Sequence, residues 1–282
     1  MTFSCMKRFI CVSVCVLILC GKAGAEDESF AERYFAAPPS YNTEIELPDG
    51  KKIAYYAQND LLWGDLTYEK RGSGKHRPFR DSGCAPSALA MALRRVVKDE
   101  ELIRLSEYAK RDFSLCECSL NEERCTRSHA RYYITSVKDY VRFLPLILGD
   151  FACGNNTFGI VSRDDGTGTG TAFYKAVAGI FGLEMTVTEN AAEAANAANA
   201  GLGVVLFAGA GGTFTNTGHY MLLAGADSDY YYYLDPLCRT SYRQWDSHNY
   251  VNILDLGLLS VKKSNLHYTN IYSYIIFSPA AE

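Results

Sequence analysis

From Ser82 to Leu93 the apolar residues fall on one helical face, so this stretch predicts an amphipathic helix with Asp81 or Ser82 as its N-cap and Pro86 tolerated in the first turn. Cys84 then sits at a helix N-terminus. Further helices are expected over 99–110, 136–148 and 171–182, and the Ala-rich run Ala191–Ala200 reads as a helix ended by Gly201. From Gly203 onward the pattern shortens and turns β-like: Gly203–Phe207, His219–Ala224, Tyr230–Leu234 and Ile271–Phe277 are short β-prone runs separated by Gly and Asp turn residues. Helices in the front half and strands in the back half predict an α+β fold, with N-terminal helices packed on a largely antiparallel C-terminal sheet. Residues 26–52 are polar, carry Pro38-Pro39 and a Pro-Asp-Gly turn at 48–50, and read as an arm leading into one domain over 53–282.

The first 25 residues follow another rule. Lys7 and Arg8 precede the apolar run Phe9–Leu19, and Ala23-Gly24-Ala25 supplies the small residues of a signal-peptidase site, so 1–25 reads as a signal peptide and the mature chain as exported. Leu17 to Gly21 leaves a lipid anchor through Cys20 as the alternative. No other apolar run approaches a membrane-spanning length, so no transmembrane segment is expected in the mature chain. Loss of Lys7, Arg8 and Lys22 leaves 25 basic against 32 acidic residues, and with no long basic stretch nucleic acid drops out as a partner. Six cysteines remain: Cys84, Cys116, Cys118, Cys125, Cys153 and Cys238. An even number outside the cytosol allows three disulfides, or two disulfides and two free thiols.

A thiol attacks as thiolate, and a helix N-terminus or a neighbouring imidazolium favours that anion. Cys84 is placed for the first effect. His219 opens one apolar strand, Asp235 closes the next, and the turn at Asp227-Ser228-Asp229 makes the two a hairpin that brings them opposite one another at the same end of the sheet. There a carboxylate can hold an imidazole and fix its tautomer.

With these blocks the chain resembles the papain-fold cysteine peptidases related to the double-glycine leader peptidases, the C39-like group. The resemblance rests on Tyr56-Ala57-Gln58-Asn59-Asp60 with Trp63-Gly64, on Gly83-Cys84-Ala85-Pro86-Ser87-Ala88-Leu89-Ala90-Met91, on Gly170-Thr171-Ala172-Phe173, and on Gly218-His219-Tyr220 with Asp235-Pro236. It spans about Tyr55 to Pro236, and the Cys-to-His separation matches the roughly 130–150 residues of papain-type enzymes. It implies a papain-like fold with Cys84 as nucleophile, His219 as base, Asp235 as its orienter and Gln58 in the oxyanion hole. Ala85 stands where the family often has Gly, and Tyr68–Arg80 is an apparent insertion between the Gln and Cys blocks.

Other clusters take plainer meanings. Cys116-Glu117-Cys118, Cys125 and His129 do not have zinc-finger spacing, and in an exported chain two disulfides among Cys116, Cys118, Cys125 and Cys153 are expected in preference to a metal. Cys84 then stays reduced and Cys238 is left as a free thiol near the site wall. Gly166–Gly170 reads as a flexible turn into the helix at Thr171, bordering the substrate groove, because no Lys follows to make it a phosphate cradle. The expected activity is a secreted or cell-surface cysteine peptidase acting through an acyl-enzyme, with no cofactor and with a peptide, a protein or a cell-wall peptide cross-link as substrate. The alternative is an exported peptide-binding module that keeps the scaffold without turnover.

Overall fold

Thirteen residues, four of them Ala and two Leu, form the helix on which the rest is built. The computed structural model describes residues 43–60, 63–64, 67–70, 76–107, 136–152, 169–239, 242 and 249–280. All belong to the compact unit made of Pro38–Phe113 and Tyr133–Glu282. The predicted signal peptide, the cysteines at 116, 118, 125 and 153, His129 and Gly166–Gly168 lie outside the described residues.

In chain order the strands are β1 (Thr43–Glu46), β2 (Lys52–Tyr55), β3 (Thr67–Lys70), β4 (His76–Pro78), β5 (Leu183–Thr188), β6 (Gly203–Ala208), β7 (His219–Ala226), β8 (Tyr230–Leu234), β9 (Val251–Asp255), β10 (Leu258–Lys262) and β11 (Ile271–Pro279). The helices are α1 (Phe79–Ser82), α2 (Cys84–Val96), α3 (Val137–Arg142), α4 (Leu144–Ala152), α5 (Thr171–Phe181) and α6 (Ala191–Asn199), with 3-10 segments at Asp99–Glu107 and Lys263–Thr269. Seven strands make one sheet in the order β5-β11-β6-β7-β8-β10-β9. Every pairing within it is antiparallel, as the front-helix, back-strand pattern predicts.

α2 packs against β6, β7, β11 and α4. The backbones approach closely: a Cβ at Gly203 would lie 2.7 Å from the Ala92 carbonyl oxygen, so Gly opens β6 for a contact reason. A core of Val204, Leu206, Met221, Leu223, Tyr233 and Val261 lies under Ala194, Ala195 and Ala198 of α6, each large side chain contributing roughly 1.5–3 kcal/mol by burial. α6 starts at Asn190, whose Oδ1 accepts from the Ala192 and Glu193 amides at 3.0 and 3.3 Å. It ends before Gly201, which adopts φ +89°.

Several expectations need correction. The arm assigned to 26–52 is ordered structure in its last ten residues, because the Pro-Asp-Gly turn closes a β1–β2 hairpin that buries Ile45 and Leu47. α2 is not capped by Asp81 or Ser82; these belong to the preceding turn α1, and Gly83 occupies the N-cap without a side-chain bond. The helix expected over 136–148 is two, broken at Phe143, and the one over 99–110 is a 3-10 segment. The apparent insertion Tyr68–Arg80 is largely the β3–β4 hairpin followed by α1.

Candidate active site

Gly83 brings α1 and α2 together at the point where the thiol emerges. A Cβ there would meet the Phe79 ring at 2.2 Å, so only glycine lets Phe79 pack beneath the start of α2. Phe79 in turn meets Trp63 edge-on, with centroids 6.5 Å apart. The Trp63 indole N–H donates to the Ala57 carbonyl at 2.9 Å and shapes the turn that carries Gln58. Cys84 follows as the first residue of α2, partly exposed and unpaired. Gln58 is 2% exposed. Its Nε2 donates to the Arg80 carbonyl at 2.6 Å, four residues before Cys84, and its backbone N–H donates to Pro236 O at 2.7 Å. Its Oε1 has no hydrogen-bond partner among the described residues.

His219 is the first residue of β7 and Asp235 directly follows β8. The register pairs Leu222 with Leu234, so Asp235 falls level with Met221, two residues from His219 on the same face. The contact is therefore diagonal rather than directly across the hairpin. The buried His219 Nε2 lies 2.6 Å from Asp235 Oδ1, and the Cys84 thiol is close enough to the ring to help raise its pKa. Burial by itself would push the imidazole pKa down; the charge and hydrogen bond of Asp235, with Cys84 adding to them, outweigh burial and hold it up at about 9. Asp235 shifts the other way. Burial raises its pKa, but His219, Arg239 and Tyr242 prevail and lower it.

Three side chains around Asp235 were not singled out by the sequence. The Tyr55 hydroxyl donates to the Asp235 carbonyl at 2.7 Å, the Tyr242 hydroxyl donates to Oδ2, and Arg239 Nε lies 3.6 Å from the same oxygen. An Arg four residues after an Asp was a signal of sorts; nothing marked the two tyrosines. The Leu237 amide completes the set with a bond to Oδ1 at 2.8 Å. Cys238 is unpaired and beside this cluster, in contact with Tyr55; burial first, and then the Asp235 charge, raise its pKa. Among the described residues there is no disulfide. Thr169, the residue before Gly170, accepts through its carbonyl a 2.9 Å bond from the hydroxyl of Tyr220, the neighbour of His219.

A buried imidazole between a carboxylate and a partly exposed thiol can carry a proton from sulfur to a leaving group and back. No helix among the described residues is long and apolar enough to cross a membrane. No curated protein matches the chain, and no solved structure does. The family model described as the Peptidase_C39 like family matches residues 51–254, which include Gln58, Cys84, His219 and Asp235. The chain belongs to the C39-like peptidase family.

Proposed function

We propose that this protein is an exported cysteine peptidase of papain-like fold that hydrolyses peptide bonds through an acyl-enzyme on Cys84. The observation that carries this reading is the buried His219 ring, held by Asp235 at 2.6 Å on one side and next to the Cys84 thiol on the other. Cys84 attacks the scissile carbonyl while His219 Nδ1 holds the thiol proton, and the C–N bond then breaks as that proton passes to the leaving amine. The oxyanion formed in between takes the Cys84 backbone N–H and the second Nε2 hydrogen of Gln58, the first being bonded to Arg80. Water releases the acyl group with His219 as base.

Iodoacetamide at pH 6 tests this reading. A thiolate–imidazolium pair makes Cys84 react far faster than a simple thiol, and Cys84→Ala removes that label together with peptide hydrolysis. Labelling no faster than a control thiol rejects the catalytic pair and favours a peptide-binding module.

A further inference from the structure

Asp235 is 0% exposed, and a carboxylate at that depth is costly unless its lone pairs are filled and its charge is answered. Oδ1 is supplied by His219 Nε2 at 2.6 Å and Leu237 N–H at 2.8 Å. Oδ2 is supplied by two groups outside the Cys-His-Asp set, the Tyr242 hydroxyl and the Arg239 guanidinium. These two also brace each other. Arg239 Cζ lies 5.5 Å from the Tyr242 ring centroid, and an Arg239 Nη donates to the Phe214 carbonyl in the segment that leads into His219. The Phe214 ring meets Tyr242 edge-on at 6.3 Å. One pair of side chains thus grips the carboxylate and the approach to the imidazole together.

We propose that Arg239 and Tyr242 are positioning residues that keep Asp235 ionised and His219 oriented while His219 is neutral, so that they act chiefly in hydrolysis of the acyl-enzyme. The proposal rests on the thiol-peptidase reading above. In the resting site an imidazolium answers the Asp235 charge. After its proton has left with the amine, His219 is neutral, and the charge is answered by Arg239 and the Tyr242 hydroxyl. Water then attacks the thioester carbon and its proton passes to His219 Nδ1. The C–S bond breaks, its electron pair returns to the Cys84 sulfur, and the carboxylic acid departs. Nε2–H stays on Asp235 throughout. Tyr242 remains a donor, because burial and then the Asp235 charge raise its pKa above the ordinary tyrosine value. The titratable groups facing Asp235 are His219, Arg239, Tyr242, Tyr55 and Cys238; those facing His219 are Cys84 and Asp235.

The test uses the full chain with p-nitrophenyl acetate, whose burst of nitrophenolate reads acylation and whose steady rate reads deacylation. Tyr242→Phe keeps the packed ring, and Arg239→Met keeps much of the stem. Both variants should retain the burst within about threefold and lose about tenfold or more of the steady rate. Deacylation needs neutral His219, so the steady rate rises with pH. Without the Arg239 charge Asp235 holds the imidazolium proton more tightly, and that rise moves to higher pH; Arg239→Lys moves it back. A wild-type steady rate in both variants overturns the proposal. So does a burst and steady rate that fall together with the pH profile unmoved. Nitrophenolate release that survives Cys84→Ala unchanged overturns the Cys84 reading itself and the proposal with it.

Discussion

The two sides of the candidate site are built differently. On the His219 side, Asp235 has 0% exposure and bonds to His219, Leu237, Tyr242 and, through its backbone, Tyr55 and Gly257. On the Cys84 side, the thiol is partly exposed at the first residue of α2, and the neighbouring Gln58 has an unpaired Oε1. A base is useful only when its tautomer and direction are fixed, whereas a nucleophile needs room for substrate. Stability should therefore concentrate on one side and activity on both.

The sharpest way to break that contrast is to remove one group from each side. Cys84→Ala and His219→Ala should each lower peptide hydrolysis by about 10³-fold or more. Cys84→Ala leaves the melting temperature unchanged, while His219→Ala lowers it by stranding a buried carboxylate, at a cost of about 1–3 kcal/mol. Equal stability losses in the two would erase the contrast. Gln58→Ala should lower kcat by about 10²-fold, read by steady-state kinetics; an unchanged kcat would remove Gln58 from the oxyanion site. Asp235→Asn comes next. Asn offers one neutral acceptor oxygen where three donors and the Arg239 guanidinium converge, so its unfolding free energy should fall by about 3 kcal/mol. Activity should drop only about tenfold, because Asn can still orient an imidazole.

The smallest effect is a slope. The pKa of His219 is raised from 6.5 to about 9, so the folded state holds a proton that the unfolded state releases. This stabilisation is fully present below pH 6.5 and is lost as pH rises through about 9. Thermal melts across that range should show a decline that His219→Ala removes. Asp235 has the opposite sign: its stabilisation is present above the usual carboxylate range and fades as acid protonates it.

How much of this was legible beforehand depended on distance along the chain. The strands at 203–208, 219–226, 230–234 and 271–279 showed as compact β-prone runs, and His219 with Asp235 could be paired because one short hairpin joins them. β5, β9 and the buried β10, a short run of only five residues, escaped notice. β5 and β9 are the edges of the sheet, and exposed positions such as Val187, Ile253 and Leu254 blur the inside-outside contrast on which strand patterns depend. Tyr55 was hidden for a different reason: 180 residues separate it from the Asp235 carbonyl it binds. Arg239 and Tyr242 lie in a segment with no periodicity, and their partners become visible only when Phe214 and Asp235 are brought together by the sheet.

The position of β11 carries a consequence for synthesis. This last strand lies between β5 and β6, whereas the family match ends at residue 254, before β10 and β11 begin. Until residues 271–279 emerge, β5 and β6 present unpaired edges to each other, and β6 is the immediate neighbour of the strand that carries His219. Loss of β11 would therefore leave β6, the neighbour of the strand that begins with His219, with one edge unpaired and the sheet split between β5 and β6.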